Sequence, residues 1–230
     1  MLKNIKVVCF DADDTLWVNE PYFRDTEKKF TQLMKEYLDE QNCHSELFKI
    51  TVANLNLYGY GAKSFVLSMI ETALKISNIK LEAHKIEAIL KLGRDILEHP
   101  LLLLDDVENV LDRLQRSYRL IVATKGDLLE QETKLKKSGL EKYFHHIEIM
   151  SEKDVLNYKK LIKHLDTKPE EFVMIGNSMK SDILPVLETG GYAIYIPCAD
   201  TWVHENAHNH HPQHPRFKEI ERFSRLTEIL

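Results

Sequence analysis

Glycine and proline are scarce in this chain, 8 and 7 of 230 residues, which excludes collagen-like and linker-like architectures. Cysteine is rarer still: Cys9, Cys43 and Cys198 are odd in number and far apart, which fits free thiols in a reducing compartment better than a disulfide framework. The cytoplasm is therefore the expected location. Basic charge is not in excess, with 31 Lys and Arg against 36 Asp and Glu, so the positive field that nucleic-acid binding relies on is missing and no such partner is expected. Long apolar runs are missing as well. The one at residues 101–104 runs directly into Asp105 and Asp106, and the one near the N-terminus is stopped by Asp11, too short for a signal segment. The expectation is a protein neither exported by a visible signal nor held in a membrane.

What is there is the composition of a globular protein, 43% hydrophobic and 29% charged. At roughly 150 residues per domain the length allows about one and a half domains, one compact unit with a sizeable insertion or two small ones. Residues 5–10 (IKVVCF) form a short β-branched run bounded by acids, as expected of a strand buried on both faces. Similar runs at 119–124, 146–150, 172–176 and 193–197 each follow a stretch with apolar residues at helical spacing, at 106–117, 128–138, 156–165 and 182–188. Such alternation predicts an α/β fold with a mainly parallel sheet and helices on both faces. Between the first two strands lies a segment without strand pattern. Apolar residues at three and four spacing over 23–38, 46–57, 64–76 and 81–97 predict an inserted helical bundle there. Ligands of open α/β sheets bind outside the carboxyl ends of the strands, so an insertion rooted at such an end would form a cap over the site. The domains expected are 1–16 with 101–230 as the core and 17–100 as the cap.

Directly after the first strand come Asp11, Asp13 and Asp14 in the run DADDTL. Like charges crowded at the mouth of a sheet call for a shared proton or a hard divalent cation with oxygen ligands, Mg2+ above all. Loop acids that cap backbone amides are the plainer explanation of such a run taken alone. The second strand ends at Thr124, followed by Lys125 and Gly126, which offer a hydroxyl, a cation and a tight backbone whose amides could hold phosphate oxygens. Thr124 could equally be a helix cap, and Asp182, five positions after Asn177 beyond the fourth strand, could cap the helix that follows. Lys153 follows the third strand, where a solvated lysine is the commonplace outcome.

Taken together and in order, these features resemble the haloacid dehalogenase superfamily, whose members carry four motifs on a Rossmann-like sheet. Asp11, Asp13 and Thr15 match its first motif, Thr124 its second, Lys153 its third. The fourth, usually two acids, reads here Gly176-Asn177 and, after four residues, Asp182, so an amide stands where the first acid is usual. The insertion sits where the superfamily places a helical cap. The resemblance implies a Mg2+-dependent phosphatase acting on a small phosphorylated metabolite. Asp11 would be the nucleophile that forms an aspartyl phosphate, and Asp13 the general acid and base. Thr124, Lys125, Gly126 and Lys153 would bind the phosphate, and the metal would be held by Asp11, the Asp13 carbonyl and Asp182, with Asn177 nearby. Replacing an acid by Asn177 predicts weaker metal affinity.

Within the superfamily, dehalogenases need no acid two positions beyond the nucleophile, and Asp13 argues against that chemistry. A phosphonate-cleaving enzyme would need a Schiff-base lysine from the cap, for which Lys63 is the candidate. A phospho-acceptor signalling module would carry its acceptor after the third strand, and a binding-only relative is suggested by Asn177. The stretch 201–217, with His204, His208, His210, His211 and His214 among polar residues, is expected to be loop; His204 and His208 have spacing compatible with a metal pair on a helix. Tyr58 and Tyr60, at a turn in the cap, are better placed to meet a substrate than Tyr22, Phe23, Phe30 and Tyr37, which are expected to fill the cap core.

Overall fold

The computed structural model describes residues 2–205 and 212–230. The chain divides into two compact units: the first holds residues 1–20, 101–125 and 131–230, the second residues 21–100 and 126–130.

The first unit is an α/β fold built on six parallel strands in the order β3-β2-β1-β4-β5-β6. They are β1 Val7–Phe10, β2 Arg119–Lys125, β3 His146–Met150, β4 Phe172–Gly176, β5 Tyr192–Tyr195 and β6 Phe217–Glu219. β1 is central and its four residues are all fully buried, which is why its sequence is a continuous apolar run instead of an alternating one. The two-residue period of a strand splits these side chains between two cores. Val8 and Phe10 join Val173, Ile175, Leu120 and Val122 on one face, where the helices α5 (Val107–Leu114), α6 (Leu128–Ser138) and α9 (Leu226–Ile229) contribute apolar residues. Val7 and Cys9 join Ile121, Ala123 and Met174 on the other, against α7 (Val155–His164) and α8 (Leu184–Thr189). Connections run one way from β1 to β2 and β3 and the other way from β4 to β6, so the order of strands reverses between β1 and β4. A crevice opens at the carboxyl ends at such a reversal, and ligands settle there.

The second unit packs α1 (Glu20–Leu33), α2 (Glu40–Tyr58), α3 (Ala62–Ile76) and α4 (Ala83–Glu98) around Phe30, Met34, Leu47, Phe65, Met69 and Ile89. Phe23 and Tyr37 pack against this core, as expected of them. α2 begins six residues before the periodic pattern suggests, because the Asp39 carboxylate accepts from the Asn42 amide at 3.1 Å and caps the helix there. The strand β6 falls partly within the stretch expected to be loop, a correction confined to Phe217. It is three residues at the sheet edge, Phe217 and Lys218 partly buried and Glu219 exposed, too short to show a pattern. Among the described residues, no helix is long and apolar enough to cross a membrane.

Gly93 illustrates how closely the helices approach: a Cβ added there would lie 2.1 Å from Val66 Cγ2. Gly93→Ala should gain about 1 kcal/mol of helix propensity yet be less stable overall by about 1–3 kcal/mol from overpacking. Pairing it with Val66→Ala should recover most of that loss, as urea denaturation of the two variants would show.

Candidate active site

Asp11 leaves the end of β1 with its amide bonded to the Ile175 carbonyl at 2.9 Å, so the sheet ladder itself fixes where its carboxylate starts. The chain then turns at once. Leu16 donates to the Ala12 carbonyl at 2.8 Å, and Asp14 takes the left-handed conformation at φ +62°. This turn sorts the three acids. Asp14 points its carboxylate at the amides of Asn19 (2.9 Å) and Glu20 (3.0 Å), where α1 begins, and so caps a helix. Burial raises its pKa to about 7 against those two hydrogen bonds.

Asp11 is held from two sides. Thr15 Oγ1 donates to its Oδ2 at 2.9 Å, and Lys153 Nζ reaches its Oδ1 at 2.5 Å. The same ammonium lies 2.7 Å from Asp182 Oδ1. Lys153 is not the solvated lysine of the commonplace outcome: its side chain is 2% exposed and that of Asp182 is 1% exposed. Burial works against the charge on Lys153, but Asp11 and Asp182 outweigh it and hold the ammonium above the usual lysine range. One ammonium between two carboxylates leaves one negative charge unbalanced. Asp182 carries the cost: burial pushes its carboxyl above the usual range, and repulsion from Asp11 adds to this against the pull of Lys153.

Asp182 reaches this position because the chain after β4 winds into a wide π turn, Met179–Ile183, which aims the carboxylate back at the strand. Its Oδ2 accepts the Ser178 amide at 3.0 Å. Gly176 has no alternative there, since a Cβ would lie 2.2 Å from Asp182 Oδ2.

Asn177 is occupied on both ends of its amide. Its Oδ1 lies 3.2 Å from Thr15 Oγ1, and its Nδ2 donates to Thr201 Oγ1 at 3.0 Å, whose own proton goes to the Cys198 carbonyl. A carboxylate could not make the donation to Thr201, so the amide ties the segment after β5 to the site.

Asp13 and Thr124 come together through a residue that the motifs did not mark. Gln131 Nε2 lies 3.0 Å from Asp13 Oδ2 and 2.7 Å from Thr124 Oγ1. Trp17 Nε1 donates to Asp13 Oδ1 at 2.7 Å, and Lys134 Nζ sits 3.1 Å from the same oxygen. Lys125 turns to Ser181 Oγ (3.0 Å) and to Glu205 Oε1 (2.6 Å). Glu205 also accepts from Ser178 Oγ at 2.8 Å and from Ser181. Gly126 falls in the second unit and has φ +137°, a conformation that favours glycine. Lys63, the Schiff-base candidate, is half-exposed and paired with Asp127 at 2.8 Å. His204 lies on a short 3-10 turn with Lys180 Nζ 2.9 Å from its Nε2, Tyr58 donates to Glu71 at 2.8 Å, and His208, His210 and His211 lie outside the described residues.

Trp17, Gln131, Lys134 and Glu205 are thus site residues that sequence reasoning passed over. Gln131 and Lys134 stand three apart on α6, on one helix face, which is the single trace they leave in the sequence.

Among the described residues, no three His, Cys, Asp or Glu side chains converge as a metal cage. The donors at the carboxyl ends are all oxygen: the Asp11 and Asp182 carboxylates, the Asp13 carbonyl and the Asn177 amide oxygen. Two carboxylates with one uncompensated charge suit Mg2+, which takes one or two protein carboxylates and fills its remaining positions from water and phosphate. The residues present fit that ion.

Burial pushes the Glu205 carboxyl up, but Lys125 and the hydrogen bonds from Lys125, Ser181 and Ser178 outweigh it and hold the pKa at about 2, below the ordinary 4.5. A depressed acid stabilises the fold above its unfolded pKa, and that stability is lost as the pH falls through the folded one. Wild type should therefore exceed Glu205→Gln by about 1–3 kcal/mol at pH 7. The gap should close between pH ~4.5 and ~2 in urea titrations; a gap independent of pH would show that the ion pair is not its source.

Comparison with known proteins places this geometry. A family model described as haloacid dehalogenase-like hydrolase matches residues 5–186. The fold superposes on a haloacid dehalogenase-like hydrolase from Xanthomonas campestris with a TM-score of 0.88 at 38% identity, covering 98% of this chain and 90% of that one. A HAD hydrolase of Bacillus subtilis bound to magnesium shares the fold at 20% identity, with a TM-score of 0.65 over 99% of both chains. A glyceraldehyde 3-phosphate phosphatase of Methanothermobacter thermautotrophicus is 29% identical over 92 residues, 38% of this chain and 41% of that relative. The chain thus spans about two fifths of the length of that curated relative. The family match runs from β1 into α8 and so takes in the ends of β1, β2, β3 and β4 that bear Asp11, Thr124, Lys153 and Asp182; the chain belongs to the haloacid dehalogenase-like hydrolases.

Proposed function

We propose that this hydrolase is a Mg2+-dependent phosphatase that cleaves a small phosphate monoester through an aspartyl phosphate on Asp11. The observation that carries the proposal is the placement of Asp13, two residues beyond Asp11, with its carboxylate linked through Gln131 to the Thr124 hydroxyl. A departing alkoxide needs a proton, and a departing halide does not, so a second acid beside a phosphate-binding hydroxyl suits phosphate esters over carbon–halogen bonds. The phosphatase relative from Methanothermobacter supports the same reading.

In this mechanism Lys153 and Thr15 hold the Asp11 carboxylate with Oδ1 and Oδ2 both engaged, which fixes the nucleophile's direction. Asp11 attacks phosphorus, the ester bond breaks, and Asp13 gives its proton to the leaving oxygen. Asp13 then takes a proton from the water that hydrolyses the acyl phosphate, which returns Asp11 as a carboxylate. Thr124 and the backbone around Lys125 and Gly126 bind phosphate oxygens, and Lys153 balances charge on nucleophile and phosphate. Mg2+, held by Asp11, the Asp13 carbonyl and Asp182 with Asn177 alongside, supplies the electrostatic stabilisation that lets an anionic nucleophile meet an anionic phosphate. The helical segment 17–100 is the cap in this reading.

The test is phosphate release from p-nitrophenyl phosphate and a panel of sugar and triose monophosphates, with Mg2+ and with chelator. Turnover should need the metal, and Asp11→Asn should lower kcat by a factor of about 1,000 or more. No release above the Asp11→Asn background on any ester would overturn the proposal; halide release from a 2-haloacid would replace it with dehalogenation.

A further inference from the structure

Asp13 is gripped more completely than any loop acid needs to be. Its Oδ1 accepts from Trp17 Nε1 at 2.7 Å and from Lys134 Nζ at 3.1 Å, and its Oδ2 from Gln131 Nε2 at 3.0 Å, with Lys134 Nζ also 3.2 Å away. The two oxygens thus face three side chains from two directions, the turn after β1 and the helix α6. Lys134 is itself anchored on Asn19 Oδ1 at 2.8 Å. Trp17 is fully buried and cannot swing.

Gln131 is the less expected member. It is 3% exposed, and its single Nε2 faces three acceptors, Asp13 Oδ2, Thr124 Oγ1 and the Lys125 carbonyl. The Lys125 carbonyl cannot donate in any protonation state, which fixes which end of the amide points at it. The price is its own Oε1, buried without a hydrogen-bond partner among the described residues. An orphaned buried acceptor is destabilising, so fold stability alone does not account for a glutamine here. What the amide nitrogen does is join the acid to the phosphate-binding threonine through one rigid group.

We propose that Gln131 and Lys134 are positioning residues for Asp13, which together with Trp17 hold its carboxylate in the orientation from which it serves the leaving group, at a fixed offset from Thr124. This rests on the phosphatase reading and deepens it. Proton transfer requires the acid within hydrogen-bond reach of the oxygen it serves, so loosening the grip should matter in proportion to how much the leaving group needs a proton. A p-nitrophenolate leaves as a stable anion; an alkoxide does not. kcat/KM covers the steps through loss of the alcohol, and the later attack of water does not enter it.

The experiment measures kcat/KM with Mg2+ for p-nitrophenyl phosphate and for an alkyl phosphate, in wild type, Gln131→Leu, Lys134→Met and Lys134→Arg. Gln131→Leu and Lys134→Met should each lose about 100-fold on the alkyl ester and at least about tenfold less on the nitrophenyl ester. Lys134→Arg, which keeps the charge and the donors, should regain much of the activity lost on the alkyl ester. Equal losses on both esters would mark the two residues as structural and overturn the inference, as would no loss at all. Should Gln131→Leu fail to fold, the half-buried Lys134 carries the same comparison. A wild type inert on both esters would instead overturn the phosphatase reading, and this inference with it.

Discussion

A single ammonium shared by two buried carboxylates is the constraint on which this site is built. Lys153 touches both Asp11 and Asp182, which follow the neighbouring strands β1 and β4, and none of the three can move without stranding a charge away from water. Burying such a triad is not a route to stability. An apolar trio of the same volume would serve the fold at least as well, so the arrangement signals chemistry in place of packing. It also explains why the surrounding backbone is contorted: the π turn at Met179–Ile183, the bare Gly176 and the tight turn after Asp11 each bring one partner to the ammonium.

Around this triad lie two further polar clusters with different partners. One centres on Asp13 and reaches α6; the other centres on Glu205 and reaches Lys125, Ser178 and Ser181. The Lys125 side chain belongs to the second, where its charge is engaged by Glu205. Asn177 joins Thr15, beside Asp11, to Thr201 after β5, and the amide that departs from the family pattern has a positive use as a donor.

How much of this could be read beforehand divides by physical cause. The strands were legible because burial on both faces forces apolar runs, as in β1 and β4, where nearly every residue is out of water. Asp11, Thr124, Lys153 and Asp182 were legible because each stands at a strand end or shortly after one, and strand ends are countable. Asp14 was not separable from its neighbours, since adjacent acids look alike until the turn sends one of them to cap α1. Gln131 and Lys134 were illegible for a plainer reason: polar residues on a helix face ordinarily meet solvent, and only the tertiary placement of α6 turns these two inward. Glu205 was hidden because it lies in a polar stretch whose composition suggests loop, and a side chain that reaches back from a loop leaves no periodic trace.

The close fit of Gly176 against Asp182 has a metric consequence. Phe10 and Ile175 are paired neighbours across β1 and β4, Asp11 follows the one and Gly176 the other. Asp182 packs against the bare Cα of Gly176, so the two acids are referred to the ends of neighbouring strands, which repeat at about 4.8 Å across a sheet. A β-sheet is among the stiffest gauges a polypeptide can make. A ligand that must bridge the two acids is therefore measured against two strands joined by backbone hydrogen bonds.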